Sequence, residues 1–175
     1  MKAKKYIIGI MSVLILIFIA LISQGNIGVS KDNMEKDARK SQRIQEDWLT
    51  AKYINDDFGA FLFYSKDLSD YTFSIYKNRP GFSFGYFFYS GGSLPKISDN
   101  ILQLNSNNQG SIFLSLNKMN VSKIEIDNGS KEVEQIPIEH NKPFTVIIPE
   151  ASEEVSFYDV NGNLISYERI SEGQL

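Results

Sequence analysis

The sequence predicts a mainly β protein: an antiparallel β-sandwich preceded by an N-terminal transmembrane helix and an amphipathic stalk helix. Three features predict it. An uncharged apolar run fills positions 6–22. Apolar residues then recur at helical spacing. From Gly59 onward, short β-branched and aromatic runs alternate with turn signals. The chain divides into an anchor segment at 1–25, a helical stalk docking on the domain at 26–58, an antiparallel β domain at 59–170 and a frayed tail at 171–175.

The anchor comes first. No charge occurs between Lys5 and Lys31, and the run from Tyr6 to Ile22 has no proline. A membrane span needs roughly 17–25 such residues, whereas a signal peptide's apolar region holds about 7–15. The length favours an uncleaved signal-anchor. Ser23-Gln24-Gly25 offers small residues to a signal peptidase; cleavage after Gly25 would give a secreted soluble protein, which is the alternative. Lys2, Lys4 and Lys5 precede the span, while residues 31–47 mix both signs. Positive charge stays on the cytoplasmic side. The expectation is a single-pass protein of the cell membrane, N-terminus cytoplasmic and C-terminal domain outside.

The stalk is read as helix from Ser30, a suitable N-cap, to about Asp56. Asp32/Lys36 and Glu35/Arg39 are acid-first pairs four apart. Ile44, Trp48, Ala51 and Phe58 recur at helical spacing, so the second half has one apolar face and Trp48 is a packing anchor.

The β domain reads as AFLFYS, YTFSIYK, FSFGYFFY, ILQLN, SIFLSL, VSKIEID, VEQIPI, FTVIIP, VSFYDV and NLISYE. Asn128-Gly129 and Asn161-Gly162 are hairpin signals. Short strands at this spacing without intervening helices suggest an antiparallel sandwich or barrel.

Composition narrows the function classes. The formal net charge is −3; setting aside Lys2, Lys4 and Lys5 leaves 15 basic against 21 acidic residues. Such a body is not built to hold nucleic acid. With no cysteine and a single histidine, His140, thiolate and multi-histidine metal sites are excluded. No catalytic, metal or cofactor set is expected. Asp159-Val-Asn161-Gly-Asn163 starts like a calcium loop, but its glycine is misplaced and Ile170 stands where the closing glutamate belongs. It reads as a hairpin turn.

The most distinctive stretch is Arg79–Gly92, RPGFSFGYFFYSGG, with six aromatics between Phe82 and Tyr89. Gly81-Phe-Ser83-Phe-Gly85 fits the G-x-S-x-G of a nucleophile elbow, and Ser83, Asp99 or Asp127, then His140 imitates the hydrolase order. An elbow needs a helix after the serine. Tyr86-Phe-Phe-Tyr89 is not an amphipathic helix. A small envelope serine hydrolase using Ser83 and His140 is therefore the runner-up only. The preferred reading is a β-hairpin closed at Arg79–Phe82. That pairing sets Phe73 opposite Phe88, Ile75 opposite Tyr86 and Lys77 opposite Phe84 on a core face. It also puts Tyr76, Phe87 and Tyr89 on a mixed face. The aromatic surplus either covers a docked helix or forms a recognition patch of Tyr76, Phe87 and Tyr89 with Arg79 at the rim.

The span, the charged helix ARKSQRIQEDW, the arm TFSIYKNRPGFSFGYFF and the closing FYDVNGNLI together resemble small, N-terminally membrane-anchored, uncharacterised extracytoplasmic proteins of Gram-positive bacteria. The resemblance covers most of the chain and is one of layout. It implies location and a β-rich outer domain, and brings no catalytic residues. The functional expectation is a non-enzymatic binding module of the cell envelope, partnered by the membrane through its span and by an envelope protein or wall polymer through the sheet.

Overall fold

A computed structural model describes residues 2–23, 25–79, 83–93, 97, 99–106, 110–129, 133–149 and 154–170. The first element, α1 (Lys2–Ser23), contains an 18-residue window, Tyr6–Ser23, with mean hydropathy 2.8 and none of it buried. At about 1.5 Å per residue this is roughly 27 Å, close to a hydrocarbon core. The helix is long and apolar enough to cross a membrane. Its end is a Schellman motif. Gly25 takes φ +65°, its N–H donates to the Ile22 carbonyl at 3.0 Å, and the Asn26 N–H donates to Leu21 at 2.9 Å.

A short linker leads to a 3-10 turn, η1 (Lys31–Asn33), and to α2 (Met34–Ser41). Met34 and Ala38, four apart, are the buried face of α2. Glu35 and Arg39 form the expected i,i+4 pair at 3.3 Å. Helix does not run on to Asp56, although the apolar spacing predicts it. It stops at Ser41, and Leu49–Ile54 forms strand β1 instead. The reason is tertiary. Thr50, Tyr53 and Ile54 suit a strand, and β1 pairs residue for residue with β2 (Phe58–Tyr64), from Leu49↔Tyr64 to Ile54↔Gly59. The Asn55 side-chain oxygen accepts the N–H groups of Asp57 and Phe58 at 3.0 and 2.7 Å, fixing the hairpin turn between them. Trp48 sits between α2 and β1 and packs on the cluster beneath α2.

The first sheet is a meander, β1-β2-β3-β4, with β3 at Tyr71–Asn78 and β4 at Tyr86–Gly92. The second has the order β12-β5-β6-β9, formed by Tyr167–Ile170, Ile101–Ser106, Gly110–Ser115 and Phe144–Ile148. Its β12–β5 pair is parallel, a departure from the all-antiparallel expectation. The third, β11-β10-β7-β8, comprises Leu164–Ile165, Glu154–Asp159, Val121–Asp127 and Glu134–Pro137.

Side-chain alternation stacks these layers. In β2, Phe58, Ala60 and Leu62 face a core shared with Leu102, Leu104, Leu114 and Ile147 of the second sheet. Phe61 and Phe63 point the other way, with Tyr76 and Tyr86, against Met34 and Ala38 of α2. The opposite face of the second sheet sends Ile101, Phe113, Val146 and Ile148 against Ile124, Ile126 and Phe157 of the third. The second sheet is thus buried on both faces, which explains why every residue of β9, FTVII, is buried, Thr145 included. The Asn161-Gly162 turn joins β10 to β11 as expected. Gly162 has φ +82°, and Asp159 Oδ1 accepts the N–H groups of Asn161 and Asn163, both at 2.8 Å.

Candidate functional site

The aromatic arm forms as strands β3 and β4, but in another register. Asn78 pairs with Tyr86, Lys77 with Phe87 and Tyr76 with Phe88. Each β4 partner lies three residues beyond the expected one. An odd offset exchanges the faces of β4. The cause is a wide connection from Arg79 to Gly85 whose far limb is held by the linker after α1. Val29 and Tyr86 exchange two N–H···O bonds, both 2.8 Å, and the Gly28 N–H donates to Phe84 at 2.7 Å. The Pro80-Gly81-Phe82 turn itself lies outside the described residues. Gly85 has φ +89°, and a Cβ there would meet the Val29 carbonyl oxygen at 2.7 Å. The positive φ and this close approach of the linker account for the glycine.

The expected recognition set is therefore split. Tyr76 is fully buried under α2. Its hydroxyl donates to Asp37 Oδ2 at 2.7 Å. Burial, then that bond and the Asp37 charge, push its pKa far above the ordinary 10.0. Tyr76 leaves the candidate surface and becomes the packing centre of the docked helix. Phe87, Tyr89 and Arg79 remain. The Arg79 guanidinium lies 4.1 Å from the Phe87 ring centroid, and Lys77 Nζ lies 5.5 Å from that of Tyr89. Between Ile75 and Tyr76 the ladder slips, so Tyr89 is the extra residue of a β-bulge. Phe88, on the other face, touches Tyr76 edge-on at 5.8 Å. Phe88 is still 51% exposed and Tyr89 40%, although Tyr76, the ladder partner of Phe88, is fully buried. These cations and rings give a surface suited to apolar or planar groups, held on a strand rather than a loop.

Ser83 and His140 are not brought together. Ser83 Oγ donates to the Arg79 carbonyl at 2.6 Å, just beyond Asn78, whose N–H bonds Asp57 at the Phe58 end of β2. His140 is exposed in the turn before Lys142, and Lys142 acts on Tyr64 at the other end of that strand. Seven residues of strand separate the two ends, about 20 Å. Strand β4, not a helix, follows Ser83.

One feature was not legible in the sequence. A cleft of about 600 Å³ opens where the three sheets meet, lined by Ile126, Ile136 and Ile147 and by the polar side chains of Tyr53, Asn128 and Glu134. That is the size of a small-ligand pocket. Its walls come from β1, β7, β8 and β9, which no local pattern connects. Among the described residues, no group of three or more His, Cys, Asp or Glu could hold a metal ion.

Comparison with family models, curated proteins and solved structures returned no match.

Proposed function

We propose that this chain is a membrane-anchored extracytoplasmic protein whose β domain is a non-enzymatic interaction module of the cell envelope. Helix α1 is the uncleaved anchor, and Lys2, Lys4 and Lys5 hold its start on the cytoplasmic side. The stacked sheets support the sandwich class. The observation that carries the reading is the aromatic pair on β4, half-buried Phe87 and exposed Tyr89, beside the cations of Arg79 and Lys77. Aromatic rings with arginine favour binding surfaces, and flat rings also stack on sugars. The partner is a protein or a wall polymer of the envelope.

The test is crosslinking in living cells with recovery of the tagged full chain, wild type against a Phe87→Ser, Tyr89→Ser variant. A protein or glycan enriched with wild type and lost with the variant is the expected result. Equal enrichment by both, at equal amount and location, overturns the β4 surface. An intact mass beginning at Asn26 would overturn the anchor and establish a secreted form.

A further inference from the structure

We propose that the base of the aromatic arm, Ile27 and Phe84, seats in the headgroup interface of the membrane crossed by α1, so that the β domain is docked on the bilayer and not carried on a free tether. The inference rests on the anchor reading above and goes beyond it. Its basis is the absence of slack between span and domain. The Asn26 N–H bonds Leu21, in the last turn of the apolar helix, at 2.9 Å, and the Asn26 carbonyl accepts the Phe84 N–H at 2.8 Å. From the Leu21 carbonyl to the Phe84 amide is thus two hydrogen bonds and the width of one residue, at most about 10 Å. A bilayer's interfacial layer is roughly 5–8 Å thick on each side. Once the span is inserted, Phe84 stands at headgroup depth.

The side chains there suit that depth. Ile27 is 39% exposed and Phe84 59% exposed, although they form a bridged pair at the start of the domain. Exposed apolar and aromatic groups at a span's end are the composition of an interfacial belt. Next to them, a Cβ on Gly28 would lie 3.1 Å from the Phe87 ring, so the arm runs directly against the linker from the span. On the neighbouring β1–β2 turn, exposed Asp56 is paired with Lys31 at 3.5 Å, which offsets a carboxylate that anionic headgroups would repel. A water-facing role leaves Phe84 and Ile27 without an account; continuity with the span supplies one.

The chain has no cysteine, so single cysteines can carry a nitroxide at chosen sites. The full-length protein is reconstituted into phosphatidylcholine–phosphatidylglycerol vesicles with a label at Phe84→Cys, Ile27→Cys, Leu14→Cys or Val160→Cys. Val160 follows the Asp159 end of β10, which pairs with Val121 at the far end of β7 from Asn128 and the cleft. Relaxation by oxygen, concentrated in hydrocarbon, is compared with relaxation by a water-soluble nickel chelate. The expected result is a deep label at 14, labels at 27 and 84 shifted toward oxygen and away from nickel, and a fully nickel-accessible label at 160. Labels at 27 and 84 as nickel-accessible as 160, with 14 deep, overturn the docking and leave the anchor standing. A nickel-accessible label at 14 overturns both. Spin–spin broadening confined to 27 and 84 assigns the base of the arm to a second copy of the chain and overturns the lipid assignment.

Discussion

Truncating Tyr76 to alanine should cost the protein a large part of its stability, although the sequence left this residue open to a recognition patch as well as to packing. The side chain is fully buried. It meets Phe61 edge-on at 6.1 Å and Phe88 at 5.8 Å, and it bonds Asp37 at 2.7 Å. A buried aromatic removes on the order of 200 Å² from water, worth up to about 5 kcal/mol at 25 cal/mol per Å². Aromatic-to-alanine changes in cores cost about 3–5 kcal/mol, and the same range is expected for Tyr76→Ala. Tyr76→Phe keeps the packing and loses the hydroxyl's bond to the Asp37 carboxylate, so about 1–2 kcal/mol is expected. Tyr89→Ser, on the exposed bulge, should stay within about 0.5 kcal/mol. The assay is urea unfolding of the full chain in detergent, followed by Trp48 fluorescence, which reports from the cluster that contains Tyr76. The pH dependence has a definite sign. The folded-state pKa of Tyr76 is raised above 10.0, so its contribution is intact below pH 10 and is lost as pH climbs beyond it. Tyr76→Phe should flatten the alkaline loss. A Tyr76→Ala variant no less stable than Tyr89→Ser would refute the burial of this residue and the docking of α2.

Three further outcomes are expected. At Gly28, a Cβ would lie 2.5 Å from the Tyr86 carbonyl oxygen, so Gly28→Ala should break the linker from the arm and speed proteolysis between residues 25 and 30; an unchanged cleavage rate counts against this pairing. Asn117, buried with φ +56°, receives the Val121 N–H at 2.7 Å and donates to the Val121 carbonyl at 3.1 Å; Asn117→Ala should cost about 2–3 kcal/mol in urea unfolding, and a neutral result would refute that network. Bonds from the Ser65 and Ser69 hydroxyls lower the Asp67 pKa from 3.8 to about 2. Its stabilising effect is therefore present above pH 4 and lost as pH falls toward 2. Asp67→Asn should differ most from wild type near neutrality and converge with it in acid, as followed by acid unfolding; parallel curves would contradict this.

The sequence by itself determined the apolar helix and the β-rich body, because both follow from composition and short-range pattern. Uncharged length makes α1. Alternation in AFLFY sends successive side chains to two faces, and Asn161-Gly162 supplies a turn that needs a positive φ. Local pattern failed where two periods overlapped. Ile44, Trp48 and Ala51 fit a helix, yet the ladder of β1 to β2 outweighs that propensity. It failed again in the arm, where register depended on the distant Ile27 and Val29. That offset decided the candidate surface: Tyr76 went into the core, while Phe87 and Tyr89 stayed in reach of solvent. The cleft and the tie between span and arm were likewise decided by tertiary structure alone. Each joins residues far apart in the chain, and hydrogen-bond pairing across such distances leaves no periodic trace in the sequence.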